Sequence, residues 1–265
     1  MTDDTALASA HFTLGATFTH LLGGRVKVMQ PENGYRIGMD GALLAAACAS
    51  ILREKRKFGS ALELGCGVGG ALLSLHARCP EPRLLGLERE LTYVALCEDN
   101  IRLNCAETVS VLPMDIGRGF RESGIDRSDL VFCNPPYFDD PKTLRAPHLS
   151  KRPAWIADDG LGAWLDFAMA AVKDGGDIVF IHRADRMADL LTGLSARCGS
   201  FIVRPVLPFA GSDAKRVLVR AKRLGKAPLR LLPGLVLHDH GERKHTPLVE
   251  AILLGQADLA WKDAT

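Results

Sequence analysis

The sequence predicts an α/β protein with a doubly wound, mainly parallel sheet that has an antiparallel edge. From residue 61 to residue 197, short apolar runs alternate with helical stretches of about 10–15 residues, a pattern typical of βαβ units. Nearer the carboxyl terminus, two strand-like runs follow each other with no helix between them, which indicates an antiparallel pair. A small predicted β-hairpin and a helix precede the alternating region.

The hairpin and helix form a lead-in to the main domain. Phe18–Leu22 and Arg25–Gln30 partly alternate apolar and polar residues, and the intervening Gly-Gly pair suits a tight turn. The alanine-rich run Gly41–Leu52 predicts a buried helix, for which Asp40 is a suitable N-cap residue. We therefore expect two units, a lead-in over residues 1–57 and a main domain over residues 58–265.

The main domain is predicted to alternate as follows. Its strands are Ala61–Leu64, Arg83–Glu88, Val109–Leu112, Asp129–Cys133 and Asp177–Ile181, and its helices are Gly69–Arg78, Leu91–Asn104, Leu161–Lys173 and Ala184–Arg197. The predicted antiparallel pair is Ser200–Val206 with Arg216–Ala221, followed by a short strand at Leu235–His238 and a helix at Pro247–Leu254.

Composition limits the class of protein. The 265 residues are 47% hydrophobic and 24% charged, with a net charge of +2, which are ordinary globular values. No apolar stretch reaches the roughly 20 residues of a membrane span, and the acidic first residues are unlike a signal peptide. The seven cysteines contain no C-x-x-C pair, so we expect reduced thiols in a soluble, cytoplasmic protein without a membrane partner. The sequence carries no signal of oligomeric state.

The charge is unevenly distributed. Between Ile181 and Arg230, eleven Lys and Arg residues stand against three acidic residues. Such a segment can form a basic face for an anionic partner, or it can be an ordinary solvated surface.

A glycine-rich turn follows the first strand of the main domain. In Glu63-Leu64-Gly65-Cys66-Gly67-Val68-Gly69-Gly70, alternate glycines allow the backbone to turn sharply and to approach a ligand closely. No Lys-Ser/Thr follows, which excludes a Walker phosphate loop. By itself the pattern is compatible with a ligand-binding loop and with a simple tight turn.

Two acidic residues end the next two strands. Glu88 stands about 20 residues after the glycine loop, where a carboxylate can accept hydrogen bonds from ribose hydroxyls; otherwise it is a surface acid. Asp115 can accept a hydrogen bond from an adenine amino group, with Met114 and Ile116 packing on the ring. The alternative for Asp115 is the acid of an Asx-turn.

The fourth strand ends at Asn134-Pro135-Pro136-Tyr137. Two prolines cannot continue a sheet because neither donates to the ladder. The strand therefore stops, and it presents an amide, two carbonyls and an aromatic ring at the carboxyl edge, where open α/β sheets bind ligands.

Several other side chains allow two interpretations. His238, Asp239, His240 and His245 could suggest a metal site, but without a cysteine or a second cluster nearby a polar turn is preferred, and we expect no metal. Trp164 suits the core better than a platform for a base. The basic residues that follow the Asn134 motif suit either a substrate lid or a solvated loop; they are Lys142, Arg145, Lys151 and Arg152.

Together these residues resemble the class I S-adenosylmethionine-dependent methyltransferases, which have a Rossmann-like sheet. The Asn134–Tyr137 motif resembles that of enzymes acting on planar nitrogen, both adenine-N6 methyltransferases and the glutamine-N5 methyltransferases of release factors. The lead-in Arg36-Ile37-Gly38-Met39-Asp40 is similar to the basic-x-Gly-x-Asp element of the tRNA adenine-N6 methyltransferases that act beside the anticodon of valine tRNA.

The resemblance implies a set of roles. Asn134, Pro135, Pro136 and Tyr137 would be catalytic, and Tyr137 with Lys142, Arg145, Lys151 and Arg152 would bind the substrate. S-adenosylmethionine, which leaves as S-adenosylhomocysteine, would be held by Arg36, Gly38, Asp40, Glu63, Gly65, Cys66, Gly67, Gly69, Glu88, Met114, Asp115, Ile116 and Asn134. The implied partner is RNA, specifically tRNA, and the alternative is a protein glutamine.

Overall fold

The computed structural model describes residues 16–32, 37–55, 59–136, 160–241 and 244–262. Its first element is the predicted hairpin, formed by β1 (Ala16–Leu21) and β2 (Val26–Pro31), which pair antiparallel with Thr19 opposite Val28. The turn between them is a single 3-10 turn in which Gly23 and Gly24 have φ of 65° and 95°. The Gly-Gly turn is therefore confirmed.

Helix α1 (Met39–Lys55) begins earlier than its alanine-rich run suggested. Asp40 lies inside the first helical turn, so its prediction as the N-cap residue is wrong. Its carboxylate accepts a hydrogen bond from Arg216 Nε at 3.0 Å, and a negative charge in the first turn also complements the helix dipole.

In the part of the chain that the structure describes, the main sheet has nine strands. They are β3 (Ser60–Leu64), β4 (Arg83–Glu88), β5 (Val109–Pro113), β6 (Ser128–Cys133), β7 (Val172–Arg183), β8 (Cys198–Leu207), β9 (Arg216–Arg223), β10 (Arg230–Leu231) and β11 (Leu235–Val236). The order is β10-β8-β9-β7-β6-β3-β4-β5, with β11 also paired to β8. The pairs are parallel except β7 with β9 and β8 with β9. The predicted fold class is confirmed.

The other helices are α2 (Gly70–Arg78), α3 (Leu91–Leu103), the short α4 (Phe120–Ser123), α5 (Gly160–Ala171), α6 (Met187–Ser195) and α7 (Pro247–Leu253). Two of them differ from the predicted bounds by more than one residue. The fifth strand already begins at Val172, before the predicted helix end at Lys173, and the predicted helix from Ala184 starts with a 3-10 turn, Ala184–Arg186.

Side chains on β6 show how the sheet is covered. Leu130 and Phe132 belong to one apolar cluster, which includes residues of α1, α2 and the hairpin. Val131 and Cys133 belong to another, which includes residues of α5 and α6. Because successive strand residues point to opposite faces, this alternation places helices on both faces. No helix among the described residues combines the length and the apolar character needed to cross a membrane.

The strand order reverses next to β3. From β3 the chain moves through β4 to β5 on one side, and it then crosses to β6 on the other side. In open α/β sheets such a switch point opens a crevice beyond the carboxyl ends of the strands, and ligands bind there. In this protein the switch point lies between β3 and β6, so a crevice is expected at the carboxyl ends of these two strands.

Candidate functional site

The glycine loop occupies the end of β3. Gly65, Gly67 and Gly69 have φ of 65°, 55° and 88°, values in the left-handed region that only glycine adopts without strain. The loop is closed by a hydrogen bond from Gly69 N to Cys66 O at 2.9 Å, and Leu73 N of α2 bonds to Gly69 O at 2.9 Å. The loop therefore passes directly into the first turn of α2.

The three glycines face different surroundings. A Cβ added at Gly65 would lie 2.6 Å from the Trp164 ring, and one added at Gly69 would lie 2.8 Å from Cys97 Sγ. A Cβ at Gly67 would have no atom within 4 Å. Gly65 and Gly69 are thus required by internal packing, whereas Gly67 borders open space at the crevice.

Glu88 fixes the loop to β4. Its Oε2 accepts a hydrogen bond from Gly67 N at 2.9 Å, and its Oε1 accepts one from Glu90 N at 2.9 Å. Burial raises the pKa of the Glu88 carboxyl, and these backbone N–H groups lower it in part. The surface-acid alternative therefore does not describe Glu88. Two hydrogen bonds use only part of a carboxylate's accepting capacity, so the group can accept others.

Glu63 is buried beneath the loop. Its Oε2 has no hydrogen-bond partner among the described residues. Burial raises the pKa of the Glu63 carboxyl well above its usual range, and the neighbouring Cys97 thiol raises it further. An unpaired buried carboxyl oxygen is costly, and it marks this end of β3 as unusual for a purely structural turn.

Asn134 lies beside the glycine loop. Leu64 of β3 pairs with Cys133 of β6, so the next residues, Gly65 and Asn134, are neighbours at about the 4.8 Å spacing of adjacent strands. Asn134 is half-buried and Pro135 is buried. An amide side chain and a carbonyl thus stand at the same switch point as the glycine loop.

The three residues predicted to contact adenine, Met114, Asp115 and Ile116, have different surroundings. Met114 N bonds to Glu88 O at 2.9 Å, and its side chain is half-buried. Asp115 Oδ1 accepts a hydrogen bond from Gly117 N at 2.9 Å, which is the Asx-turn alternative. Ile116 is buried in the apolar cluster that contains Trp164.

Cys66 faces away from open space. A Cβ at Gly86 would lie 2.5 Å from Cys66 Sγ, so the thiol packs under β4, within an apolar cluster with Val94, Cys97 and Val111. Cys66 therefore contributes its backbone to the glycine loop, while its side chain packs inside the protein.

The lead-in packs against the start of α2. A Cβ at Gly70 would lie 2.7 Å from the Ile37 side chain, and Ile37 N bonds to Gln30 Oε1 of β2 at 3.1 Å. Gly38 and Asp40 lie one and three residues after Ile37 in the sequence, so this packing brings their segment close to the glycine loop. Asp40 is additionally tied to β9 through Arg216.

Some predicted residues fall outside the described ranges. They are Arg36 in the lead-in, Tyr137 of the Asn134 motif, and the basic residues Lys142, Arg145, Lys151 and Arg152.

Sequence reasoning missed three contacts of the site. The most notable is Trp164 of α5, which is 9% exposed and packs against Gly65, while its indole N–H has no partner among the described residues. Cys97 supports Gly69, and Arg216 holds Asp40. Helical periodicity predicts that Trp164 is buried, but no local signal indicates which backbone it meets.

Part of the chain is similar to known methyltransferases. Residues 43–148 match the family model of the methyltransferase small domain. The chain is 32% identical over 105 residues to the tRNA1(Val) (adenine(37)-N6)-methyltransferases of Yersinia pestis strain Pestoides F and Yersinia pseudotuberculosis strain IP 31758. That alignment covers 39% of this chain and 40% of each relative, so the matched region spans about two fifths of their length.

Solved structures extend the likeness in fold. A predicted O-methyltransferase of Agrobacterium tumefaciens has a TM-score of 0.69 at 24% identity, with 85% of this chain and 100% of that chain covered. An S-adenosylmethionine-dependent methyltransferase of the same organism has a TM-score of 0.56 at 15% identity, covering 78% and 70%. The protein has the class I methyltransferase fold, and part of its chain resembles the tRNA adenine-N6 family.

Proposed function

We propose that this protein transfers a methyl group from S-adenosylmethionine to the exocyclic N6 amine of adenine in RNA, specifically in tRNA near the anticodon. The observation that carries the proposal is the meeting of the glycine loop, Glu88 and Asn134 at the switch point of the sheet. The similarity to curated tRNA adenine-N6 methyltransferases supports the choice of substrate.

The residues of the crevice fit the methyl donor. Gly67 has a left-handed backbone with open space at its Cβ position, as expected where backbone and ligand approach closely. Glu88 retains accepting capacity for ribose hydroxyls, and Asp115 and Met114 would lie beside the adenine. Gly65, Gly69, Cys66 and Glu63 would form the loop around the methionine portion. S-adenosylmethionine supplies an electrophilic methyl group on a positively charged sulfur.

Asn134 and Pro135 would hold the acceptor. An exocyclic adenine amine is a poor nucleophile because its lone pair is delocalised into the ring. The Asn134 Oδ1 and the Pro135 carbonyl would each accept one N–H, which favours a pyramidal nitrogen and stabilises the positive charge that develops there. S-adenosylmethionine, held by the glycine loop and Glu88, would supply the methyl group, and its sulfur would keep the electron pair of the S–C bond as the N–C bond forms. The proton leaves nitrogen afterwards, so no general base is required before attack.

Stacking and charge would complete substrate binding. Tyr137 would stack on the target base, which is worth about 1–3 kcal/mol. An adenine in a single-stranded loop can be splayed out at modest cost. Lys142, Arg145, Lys151 and Arg152, with the basic segment 181–230, would contact phosphates. An RNA substrate implies a cytoplasmic location.

The lead-in would close the donor site. We propose that residues 1–57 act as one unit with this task, and that residues 58–265 form the catalytic domain. The packing of Ile37 on Gly70 supports the proposal, because it brings the segment that contains Gly38 towards the glycine loop. Arg36 would act from the same segment.

A protein glutamine is the alternative acceptor. Its side-chain amide presents the same N–H₂ group, so the Asn134 motif could hold it in the same way. Tritiated methyl transfer from S-adenosylmethionine to total tRNA, compared with transfer to release factor, separates the two substrates. We expect label in tRNA and N6-methyladenosine after nucleoside digestion. Label confined to the release factor would replace adenine by glutamine.

Asn134→Ala tests the acceptor role. We expect turnover to fall by at least a hundredfold, since loss of one preorganised hydrogen-bonding group typically costs about 10²–10³ in kcat. The affinity for S-adenosylmethionine, measured by calorimetry, should stay within a few-fold of wild type. A comparable loss of donor affinity would show that Asn134 belongs to the donor site.

Ser195→Ala is the control. Ser195 Oγ donates to Thr192 O at 2.7 Å at the exposed end of α6, outside both the lead-in and the crevice. The control variant should retain wild-type turnover.

A further inference from the structure

An aromatic and imidazole cluster lies near the ends of β8 and β11. Phe209 stacks on His240 with ring centroids 4.7 Å apart and an interplanar angle of 17°. His238 lies 5.4 Å from Phe209 and 5.1 Å from His245, again between ring centroids. We call Phe209, His238, His240 and His245 the ring cluster.

Backbone bonds hold the ring cluster in place. Phe209 starts a tight turn in which Ser212 Oγ donates to Phe209 O at 2.7 Å. His238 N bonds to Pro208 O at 2.9 Å, and this joins the two chain segments that carry the rings. Thr246 Oγ1 donates to Val236 O at 2.8 Å and fixes the return of the chain beside His245. These bonds fix the backbone around Phe209 and His238 and the chain next to His245.

The ring cluster does not resemble a core or a metal site. Phe209 is 37% exposed and His240 is exposed. His238 Nδ1 lies 3.0 Å from Lys244 O; since a carbonyl only accepts, this nitrogen carries the proton. Among the described residues, no group of three His, Cys, Asp or Glu side chains has the arrangement of a metal site.

The ring cluster lies at the same edge of the sheet as Asn134. β7 runs parallel to β6, and β8 runs in the same direction because both β7 and β8 pair antiparallel with β9. β11 is parallel to β8. From the strand spacing and the residue rise, Phe209 lies about 20 Å from Asn134 along this edge. A molecule held at Asn134 reaches the ring cluster only if it is considerably larger than one nucleotide.

Charged residues of both signs lie near the ring cluster, and two of them are lysines that could contact a phosphate. Lys215 and Lys244 flank it, both are exposed, and neither forms an ion pair with any residue that the structure describes. Two acids are close in sequence, Asp213 and Asp239; Asp239 Oδ1 accepts a hydrogen bond from Gly241 N at 3.3 Å.

We propose that the ring cluster is a stacking platform for an unpaired base of the RNA substrate, several nucleotides away from the methylated adenine. This inference rests on the proposed function and specifies how the substrate is bound. Exposed aromatic and imidazole rings stack on unpaired bases, and Lys residues beside them contact the phosphates. A base would extend the existing stack of Phe209 and His240.

Two RNAs and three variants test the platform. The RNAs are a fluorescein-labelled anticodon stem-loop with an adenine beside the anticodon, and a trinucleotide centred on adenine. The variants are Phe209→Leu, which keeps apolar bulk without a ring, Phe209→Trp, which keeps a ring, and His240→Ala. Binding is measured by fluorescence anisotropy for the stem-loop and by competition for the trinucleotide.

For the stem-loop we expect Phe209→Leu and His240→Ala to bind about five- to hundredfold more weakly, whereas Phe209→Trp stays near wild type. All variants should bind the trinucleotide equally, because it cannot reach the platform. Leu229→Ala is the control. The Leu229 side chain is exposed and stands just before β10. Arg230 of β10 pairs with Ile202, so this position lies towards the opposite edge of the sheet from the ring cluster. The Leu229→Ala variant should therefore bind both RNAs as the wild type does.

Unchanged stem-loop binding by Phe209→Leu and His240→Ala would overturn the platform. If the wild type still methylated RNA, the proposed function would stand. If the protein methylated release factor but not RNA, both the proposed function and the stacking platform would be wrong. Equal weakening of the stem-loop and the trinucleotide would also contradict the platform, because it would show a disturbed catalytic crevice.

Discussion

At Gly67 the backbone alone decides what the residue must be. Its φ of 55° lies in the left-handed region, yet a Cβ there would meet no atom within 4 Å. Gly69 differs, because its Cβ would collide with Cys97 Sγ at 2.8 Å. Two glycines of one motif are therefore required for different reasons. Gly69 is required by internal packing, and Gly67 by its backbone conformation beside the crevice.

Gly67→Ala should separate stability from donor binding. We expect a loss of about 1–2 kcal/mol in the free energy of unfolding, the cost of a Cβ in the left-handed region. If the donor binds as proposed, its affinity should fall at least tenfold, because the added methyl group would occupy the open space assigned to S-adenosylmethionine. Urea unfolding and calorimetry measure the two effects.

Gly24→Ala provides the comparison for that experiment. Gly24 has a φ of 95° and no atom within 4 Å of its Cβ position, but it lies in the hairpin turn. Its stability loss should be similar, and donor affinity should be unchanged. If Gly67→Ala bound the donor as tightly as Gly24→Ala does, Gly67 would not border the donor.

At the scale of elements, a buried charge joins β7 to β9. Asp177 is 0% exposed, and its carboxylate accepts hydrogen bonds from Arg220 Nε at 3.0 Å and Lys222 Nζ at 3.3 Å. Arg220 also reaches Glu54 of α1 at 3.3 Å. The antiparallel pair is thus fixed both by its ladder and by an ionic contact beneath α1.

Asp177→Ala should destabilise the protein by about 3–5 kcal/mol, because it leaves the buried Arg220 without this partner. Asp189→Ala removes an exposed partner of Arg186, at 2.6 Å, and should cost less than about 1 kcal/mol. Chemical denaturation of both variants measures the difference. Equal losses would mean that the Asp177 pair is no stronger than a surface pair.

At the scale of the whole molecule, the segment after α7 ties the lead-in to the main domain. Trp261 is 2% exposed and donates from Nε1 to Ala47 O of α1 at 2.9 Å. Arg78 of α2 donates to Ile252 O at 2.5 Å and pairs with Asp258 at 2.9 Å. Residues distant in sequence therefore close one face of the sheet.

Trp261→Ala should cost about 3–5 kcal/mol, the usual range for removing a large buried aromatic side chain. Leu248→Ala, at a side chain of α7 that is 47% exposed, should stay within about 0.5 kcal/mol. Thermal unfolding of both variants gives the comparison. A small effect of Trp261→Ala would indicate that the closing segment contributes little to stability.

Local rules decided the elements. The hairpin followed from its Gly-Gly turn, the parallel sheet from the alternation of strands and helices, and the end of β6 from two prolines that cannot donate. These features depend on residues adjacent in sequence, so the sequence by itself determined the fold class and the strand ends that carry Glu63, Glu88 and Asn134.

Only the tertiary structure decided which residues meet. Trp164 against Gly65, Asp40 with Arg216, and Phe209 stacked on His240 join segments separated by tens of residues or more. Asp40 was predicted as an N-cap residue because helix boundaries are poorly fixed by local signals. Such contacts follow from strand order and from the direction of each side chain, and periodicity determines burial without specifying the neighbour.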